Sequence, residues 1–79
     1  MMATYIGEDC VYADPISAKS IVLENNKQYD INTRYDEPSI VINNERVVLS
    51  PNATVWVTVE DVNIPYAPDL IQNFWKVES

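Results

Sequence analysis

The clearest alternation of polar and apolar positions runs from Thr54 to Val62, where the two types follow each other almost residue by residue. A period of two predicts a β-strand with one buried face and one solvent-facing face. Trp56 falls on the face that carries threonines, and the acidic pair Glu60 and Asp61 follows. The pattern leaves two interpretations of Trp56: another element covers it, or it is an exposed anchor for a binding partner.

Two further segments share the order Ser-Ile-Val-aliphatic followed by Asn-Asn, and they predict two hairpins. In the first, Ser20–Ile31, a three-residue loop over 25–27 sets Leu23 opposite Tyr29 and Ile21 opposite Ile31. This register directs Val22, Glu24, Gln28 and Asp30 outward. Asparagine tolerates a left-handed backbone, so the Asn-Asn pairs replace glycine in a chain that has one Gly.

The second hairpin, Ser39–Leu49, carries apolar residues on both faces. A two-residue loop at Asn44 and Glu45 would pair Ile42 with Val47, Ile40 with Leu49, and Val41 with Val48. A sheet that continued from this hairpin into Ala53–Val59 would present Val41, Val48 and Trp56 on one face.

The C-terminal segment predicts a helix over about 69–77. Pro68 and Asp69 suit a first helical turn, and a wide apolar arc follows at helical spacing. The arc consists of Leu70, Ile71, Phe74, Trp75 and Val77. Residues 1–79 therefore predict one β-rich α+β domain, strand-rich over 3–62. We expect a small bent antiparallel sheet or open barrel of four to six strands with one short C-terminal helix.

The charge balance is strongly acidic, with twelve Asp and Glu against five Lys and Arg and a net charge of −7 in 79 residues. Direct binding of nucleic acid is disfavoured, because phosphate contacts need clustered cations. Such a charge favours a basic protein partner, or it serves only solubility. The single Cys10 excludes an internal disulfide, and no apolar stretch approaches about 20 residues. We expect a cytoplasmic protein that does not bind membranes.

Catalysis is poorly provided for in this chain. It has no histidine, and Cys10 follows the acidic Asp9, which would raise the pKa of the thiol. No acidic loop of the calcium-binding type and no glycine-rich phosphate loop is present. We therefore expect a protein that is not an enzyme, with no catalytic residue, no metal site and no cofactor.

Three acidic pairs fall in predicted turns or at strand ends. They are Glu8 and Asp9, Asp36 and Glu37, and Glu60 and Asp61. If two or more of these ends shared one edge of the sheet, their carboxylates would form a phosphate-mimicking surface for a cationic groove, with Trp56 adding contact area.

The sequence thus predicts an acidic binding protein that inhibits a basic partner, namely a protein that handles nucleic acid, in the manner of a phage inhibitor. The alternative is an oligomeric assembly subunit, such as a small virion component, that associates through Val41, Val48 and Trp56.

Overall fold

A computed structural model of the chain describes residues 1–48 and 53–78. Within these residues the chain forms nine strands and one short 3-10 helix. The strands are β1 (Met2–Tyr5), β2 (Cys10–Ala13), β3 (Ser20–Leu23), β4 (Gln28–Asp36), β5 (Ser39–Ile42), β6 (Glu45–Val48), β7 (Thr54–Val59), β8 (Val62–Tyr66) and β9 (Trp75–Val77), and the 3-10 helix spans Ile71–Asn73. Within the described residues, no helix has the length and apolar character needed to cross a membrane.

Five antiparallel strands form the main sheet in the order β8-β7-β4-β1-β9. The nine-residue β4 joins its two halves. Its first three residues, Gln28 to Asp30, pair with Thr4 to Met2 of β1. Its last six residues, Ile31 to Asp36, pair with Val59 to Thr54 of β7. β4 is therefore the strand through which the main sheet is held together.

The β2–β3 hairpin forms a second layer over one face of the main sheet. Ile21 and Leu23 point into the core, as do alternate residues of the main sheet. The buried apolar residues are Ala3, Tyr5, Ile21, Leu23, Tyr29, Ile31, Val57, Val59, Val62, Ile64 and Trp75. The burial of Val57 and Val59 confirms the inward face predicted from the alternation in β7.

The first predicted hairpin has the right faces but the wrong pairing. Ile21, Leu23, Tyr29 and Ile31 are buried as expected. However, β3 pairs with β2, and β4 pairs with β1 and β7. The turn between β3 and β4 carries the chain from one layer to the other, and β1 bonds to it: the Tyr5 N–H donates to the carbonyl of Lys27 at 2.9 Å. Alternation fixes which way side chains face, but it does not select the neighbouring strand.

The second predicted hairpin exists, but its register differs by two residues. Asn43 and Asn44 occupy the turn with φ of 51° and 65°, and Ile40 pairs with Val47. Tight two-residue hairpin turns require positive φ at both central positions, which the Asn-Asn pair accepts better than Asn-Glu. A shift of two leaves each side chain on its predicted face. The predicted pairing of Ile40 with Leu49 lies outside the described residues.

The predicted C-terminal helix, and with it the α+β class, is wrong. After Pro68 the chain makes only the 3-10 turn of Ile71–Asn73, and Trp75–Val77 then extends as β9 along β1. Helical spacing of apolar residues was misleading here because β1 offered unpaired backbone groups that a strand could satisfy. The architecture is β-rich, with one five-stranded antiparallel sheet and two hairpins.

A second tight hairpin, β7–β8, was not predicted from the sequence. Its turn consists of Glu60 and Asp61, with φ of 48° and 66°. Pro65 is tolerated in β8 because this is an edge strand. In an antiparallel ladder, hydrogen-bonded and non-hydrogen-bonded pairs alternate, and counting from the turn places Trp56 and Pro65 in a non-hydrogen-bonded pair. The nitrogen of Pro65 therefore faces away from β7, and its missing N–H removes no hydrogen bond of the ladder.

Candidate functional site

The β5–β6 hairpin, called the arm here (Ser39–Val48), exposes apolar side chains on both faces. Every residue of the arm is exposed, and Val41 reaches 73%. One face carries Ile40, Ile42 and Val47, and the other carries Val41 and Val48. A two-stranded hairpin is at best marginally stable alone in water, so an arm with two bare apolar faces is suited to contact another surface.

The side-chain hydrogen bonds of the arm lie near its base. The Arg46 Nε donates to Ser39 Oγ at 2.9 Å, and a second guanidinium nitrogen lies 3.5 Å from the carbonyl oxygen of Glu37. β5 and β6 pair only with each other, so the outer edge of each strand is open among the described strands. Open strand edges and apolar faces are both features that favour association with a further β element.

The continuous surface of Val41, Val48 and Trp56 expected from the sequence is not formed. Val41 and Val48 lie on the arm, whereas Trp56 lies in the main sheet between β4 and β8. The expectation assumed that β6 would continue as a neighbour of β7, but the long β4 takes that position.

Trp56 is half-buried on the face of the main sheet that lies opposite the core. Arg34 and Pro65 are its direct cross-strand neighbours, and the Arg34 Cζ lies 5.9 Å from the centroid of the Trp56 ring. The indole Nε1 is buried and has no acceptor within the part of the chain that the structure describes. With the predicted helix absent, neither of the two interpretations of Trp56 describes it fully.

The loop that follows β2 stands beside Trp56. It contributes Asp14, Pro15, Ile16 and Ser17 to a cavity of about 350 Å³ whose lining also includes Trp56. Asp14 is only 5% exposed. Its carboxylate accepts the N–H of Ile16 at 2.9 Å and of Ser17 at 3.4 Å. The hydrogen bond from Ile16 is the main cause that lowers the pKa of Asp14.

Asp14 also reaches the edge of the main sheet. One carboxylate oxygen lies 3.5 Å from the backbone nitrogen of Asn63 in β8. An Asp ahead of Pro-x-Ser is a signal for a side-chain-capped turn, and that signal could have identified this loop.

The three acidic pairs lie at three different places in the fold. Asp36 pairs with Thr54 at one end of the β4–β7 ladder, and Glu60 follows Val59 at the other. These ends are five residues, roughly 17 Å, apart. Glu8 and Asp9 lie between β1 and β2, where the Asp9 carboxylate accepts the N–H of Asn25 at 2.6 Å.

Asp36 and Glu60 therefore lie at opposite ends of the β4–β7 ladder and do not share an edge of the sheet. Glu60 and Asp61 form the β7–β8 turn, with Lys19 Nζ 3.9 Å from Asp61. Asp36 and Glu37 stand instead at the base of the arm.

Cys10 borders a second cavity, of about 370 Å³, between the two layers. Its sulfur lies 3.5 Å from the Tyr5 hydroxyl, which donates to the carbonyl of Glu8 at 2.8 Å. Burial, followed by the contact with Cys10, raises the pKa of the Tyr5 phenol, so this neighbour stays protonated and does not act as a base for the thiol. In residues 1–48 and 53–78, no three or more His, Cys, Asp or Glu side chains are grouped to hold a metal ion.

The arm, the Trp56 cavity and the acidic turns are thus the candidate sites of this fold. Comparison of the chain with protein-family models, curated proteins and solved structures finds no match in any of the three.

Proposed function

We propose that the protein is an assembly subunit that associates with further copies of itself through the arm. The observation that carries this proposal is the exposure of five aliphatic side chains on the two faces of one hairpin. Burial of apolar area is the main favourable term in protein association, at about 25 cal/mol per Å². The arm offers that area without any unfolding of the core.

The charge distribution supports a second copy as the occupant. The whole chain carries −7, so two copies repel each other over most of their surfaces. Residues 39–48 contain one Glu and one Arg, which gives this segment no net charge. The arm is therefore a place where two copies approach at low electrostatic cost, and an isologous contact would bury it on both.

Sedimentation velocity over a range from low to high micromolar protein tests the proposal. We expect concentration-dependent association, and we expect Val41→Lys to weaken it at least tenfold, which corresponds to about 1.4 kcal/mol. Val11→Lys is the matched control, because Val11 is also exposed, at 68%, but lies on β2. A monomer at every concentration, or equal effects of the two variants, would contradict the proposal.

The acidic inhibitor remains a second proposal, and its support is the net charge with five of the six paired acidic side chains exposed and Glu37 half-buried. Its partner would be a basic protein in the cytoplasm, and neither role requires catalysis or a cofactor. Capture of proteins from a lysate at low and high salt tests this candidate. Basic proteins should be retained at low salt and lost above about 0.15 M, where the screening length falls to roughly 8 Å. Retention that ignores salt would count against it.

A further inference from the structure

One row of side chains crosses three strands on the outer face of the main sheet. Arg34 on β4, Trp56 on β7 and Pro65 on β8 are directly opposed in register. The row places a cation, an aromatic ring and an apolar ring side by side. These three side chains all line the cavity described above, which we call the Trp56 pocket.

Hydrogen bonds hold the loop that forms one wall of the Trp56 pocket. The Asp14 carboxylate holds the loop through the N–H groups of Ile16 and Ser17, and the carbonyl of Asp14 accepts the N–H of Ala18 at 2.9 Å. Tyr12 and Asn63 complete the lining. A volume of about 350 Å³ falls at the lower end of the size range of small-molecule pockets, roughly 300–1,000 Å³.

Arg34 gives the pocket its electrostatic character. Its guanidinium lies 5.9 Å from the centroid of the Trp56 ring and forms no ion pair and no hydrogen bond with the residues at 1–48 and 53–78. The carboxylate of Asp14, which also lines the pocket, is engaged by backbone N–H groups. In a chain of net charge −7, this is a cationic group beside an aromatic floor.

We propose that the Trp56 pocket binds a small aromatic monoanion, with its flat ring against Trp56 and Pro65 and its carboxylate on Arg34. A guanidinium matches a carboxylate with two parallel hydrogen bonds, and aromatic rings favour stacked or edge contacts. The negative field of the whole chain opposes a ligand of higher charge, so a carboxylate is preferred to a dianionic phosphate. The carboxylate belongs either to a free aromatic acid or to an aromatic residue at the end of a peptide chain.

Amide NMR titration tests this proposal with 1-naphthoate, its neutral isostere 1-naphthamide, and N-acetylphenylalanine as a stand-in for a peptide end. We expect saturable shifts of the Trp56 Nε1–H resonance with the acids and at least tenfold weaker binding of the amide, about 1.4 kcal/mol. Tighter binding of naphthoate indicates the free acid as the natural ligand, and tighter binding of N-acetylphenylalanine indicates the chain end.

Arg34→Met should weaken both acids at least tenfold, whereas Arg34→Lys should retain part of the affinity. Arg46→Met is the matched control, because Arg46 lies on the arm and not in the pocket. Dispersed spectra show that each variant is folded. Absence of saturable shifts at millimolar probe, equal binding of the amide, or equal loss in Arg46→Met would overturn the proposal.

Discussion

Tyr5 and Trp75 are direct cross-strand partners on β1 and β9, with ring centroids 5.2 Å apart and planes inclined by 63°. Tyr29 makes a second edge contact with the same indole at 5.8 Å. Edge-to-face aromatic pairs contribute about 0.5–1.5 kcal/mol beyond their area burial. The indole therefore ties three strands of the main sheet together at one point of the core.

Trp75→Ala should reduce the free energy of unfolding by about 3–5 kcal/mol, since it removes a buried aromatic side chain and leaves a cavity. Trp56→Ala is the control, and we expect a clearly smaller loss because Trp56 is half-buried. Urea unfolding followed by circular dichroism measures both. Equal losses would mean that the outer face of the sheet contributes as much packing as the core.

Gly7→Ala should destabilise the protein by about 1–3 kcal/mol through overpacking. A Cβ at this position would lie 2.6 Å from the Tyr5 hydroxyl and 2.9 Å from Phe74 Cδ1. Ala18 has φ of 60°, so Ala18→Gly should have the opposite sign and raise stability by about 0.4–1 kcal/mol. Thermal unfolding of the two variants checks both signs, and a neutral Gly7→Ala would show that the Tyr5 ring moves aside without cost.

Replacement of the β7–β8 turn by Asn-Gly, as Glu60→Asn with Asp61→Gly, should raise stability by about 1 kcal/mol. Both residues have positive φ, a conformation that costs most side chains about 1–2 kcal/mol. The control is Asp36→Asn with Glu37→Gln, which also removes two negative charges but leaves the β7–β8 turn unchanged. If the two double variants stabilise the protein equally, relief of charge repulsion and not of backbone strain is the cause.

The contribution of Asp14 to stability should depend on pH. Hydrogen bonds in the folded state lower its pKa below the ordinary value of 3.8, so its carboxylate stabilises the fold above that pH. This stabilisation is lost as the pH falls through the lowered pKa. Asp14→Asn should therefore have a lower Tm than the parent protein near neutral pH, and the difference should shrink below about pH 4.

Asp69→Asn is a suitable comparison, because Asp69 is exposed and its carboxylate has no hydrogen bond or ion pair in the described part of the chain. Its difference from the parent should be small at every pH. A difference for Asp14→Asn that stays constant with pH would show that the loop is held by packing and not by the charged carboxylate.

Local rules predicted the faces of the strands well and their partners poorly. Leu23 and Tyr29 face the core as their alternation indicates, yet they lie in different layers because β1 and β2 take the pairing positions. Those pairings depend on backbone groups distant in sequence, which a window of residues does not contain. Trp75 was predicted in a helix for the same reason, because its pairing with Tyr5 of β1 is not visible in the local sequence.

The candidate sites show a similar division. The two apolar faces of Ser39–Val48 were visible in the sequence, and the structure leaves them exposed. The row of Arg34, Trp56 and Pro65 was not visible, because it depends on the registers of three strands. The convergence of acidic pairs was a question of register as well, and the long β4 separates Asp36 from Glu60.

The pairing of β1 with β9 has a consequence for how the chain folds. Thr4 and Glu78 bond side chain to side chain across 74 positions, so this ladder joins the two ends of the described chain. Closing so long a loop costs conformational entropy before the contacts of the β1–β9 ladder can offset that cost. Nonlocal pairing of this kind slows folding. Of the described strands, β9 is also the last to be synthesised. The tight hairpins can close as soon as their own residues are made, but the outer edge of β1 stays uncovered until β9 has been made.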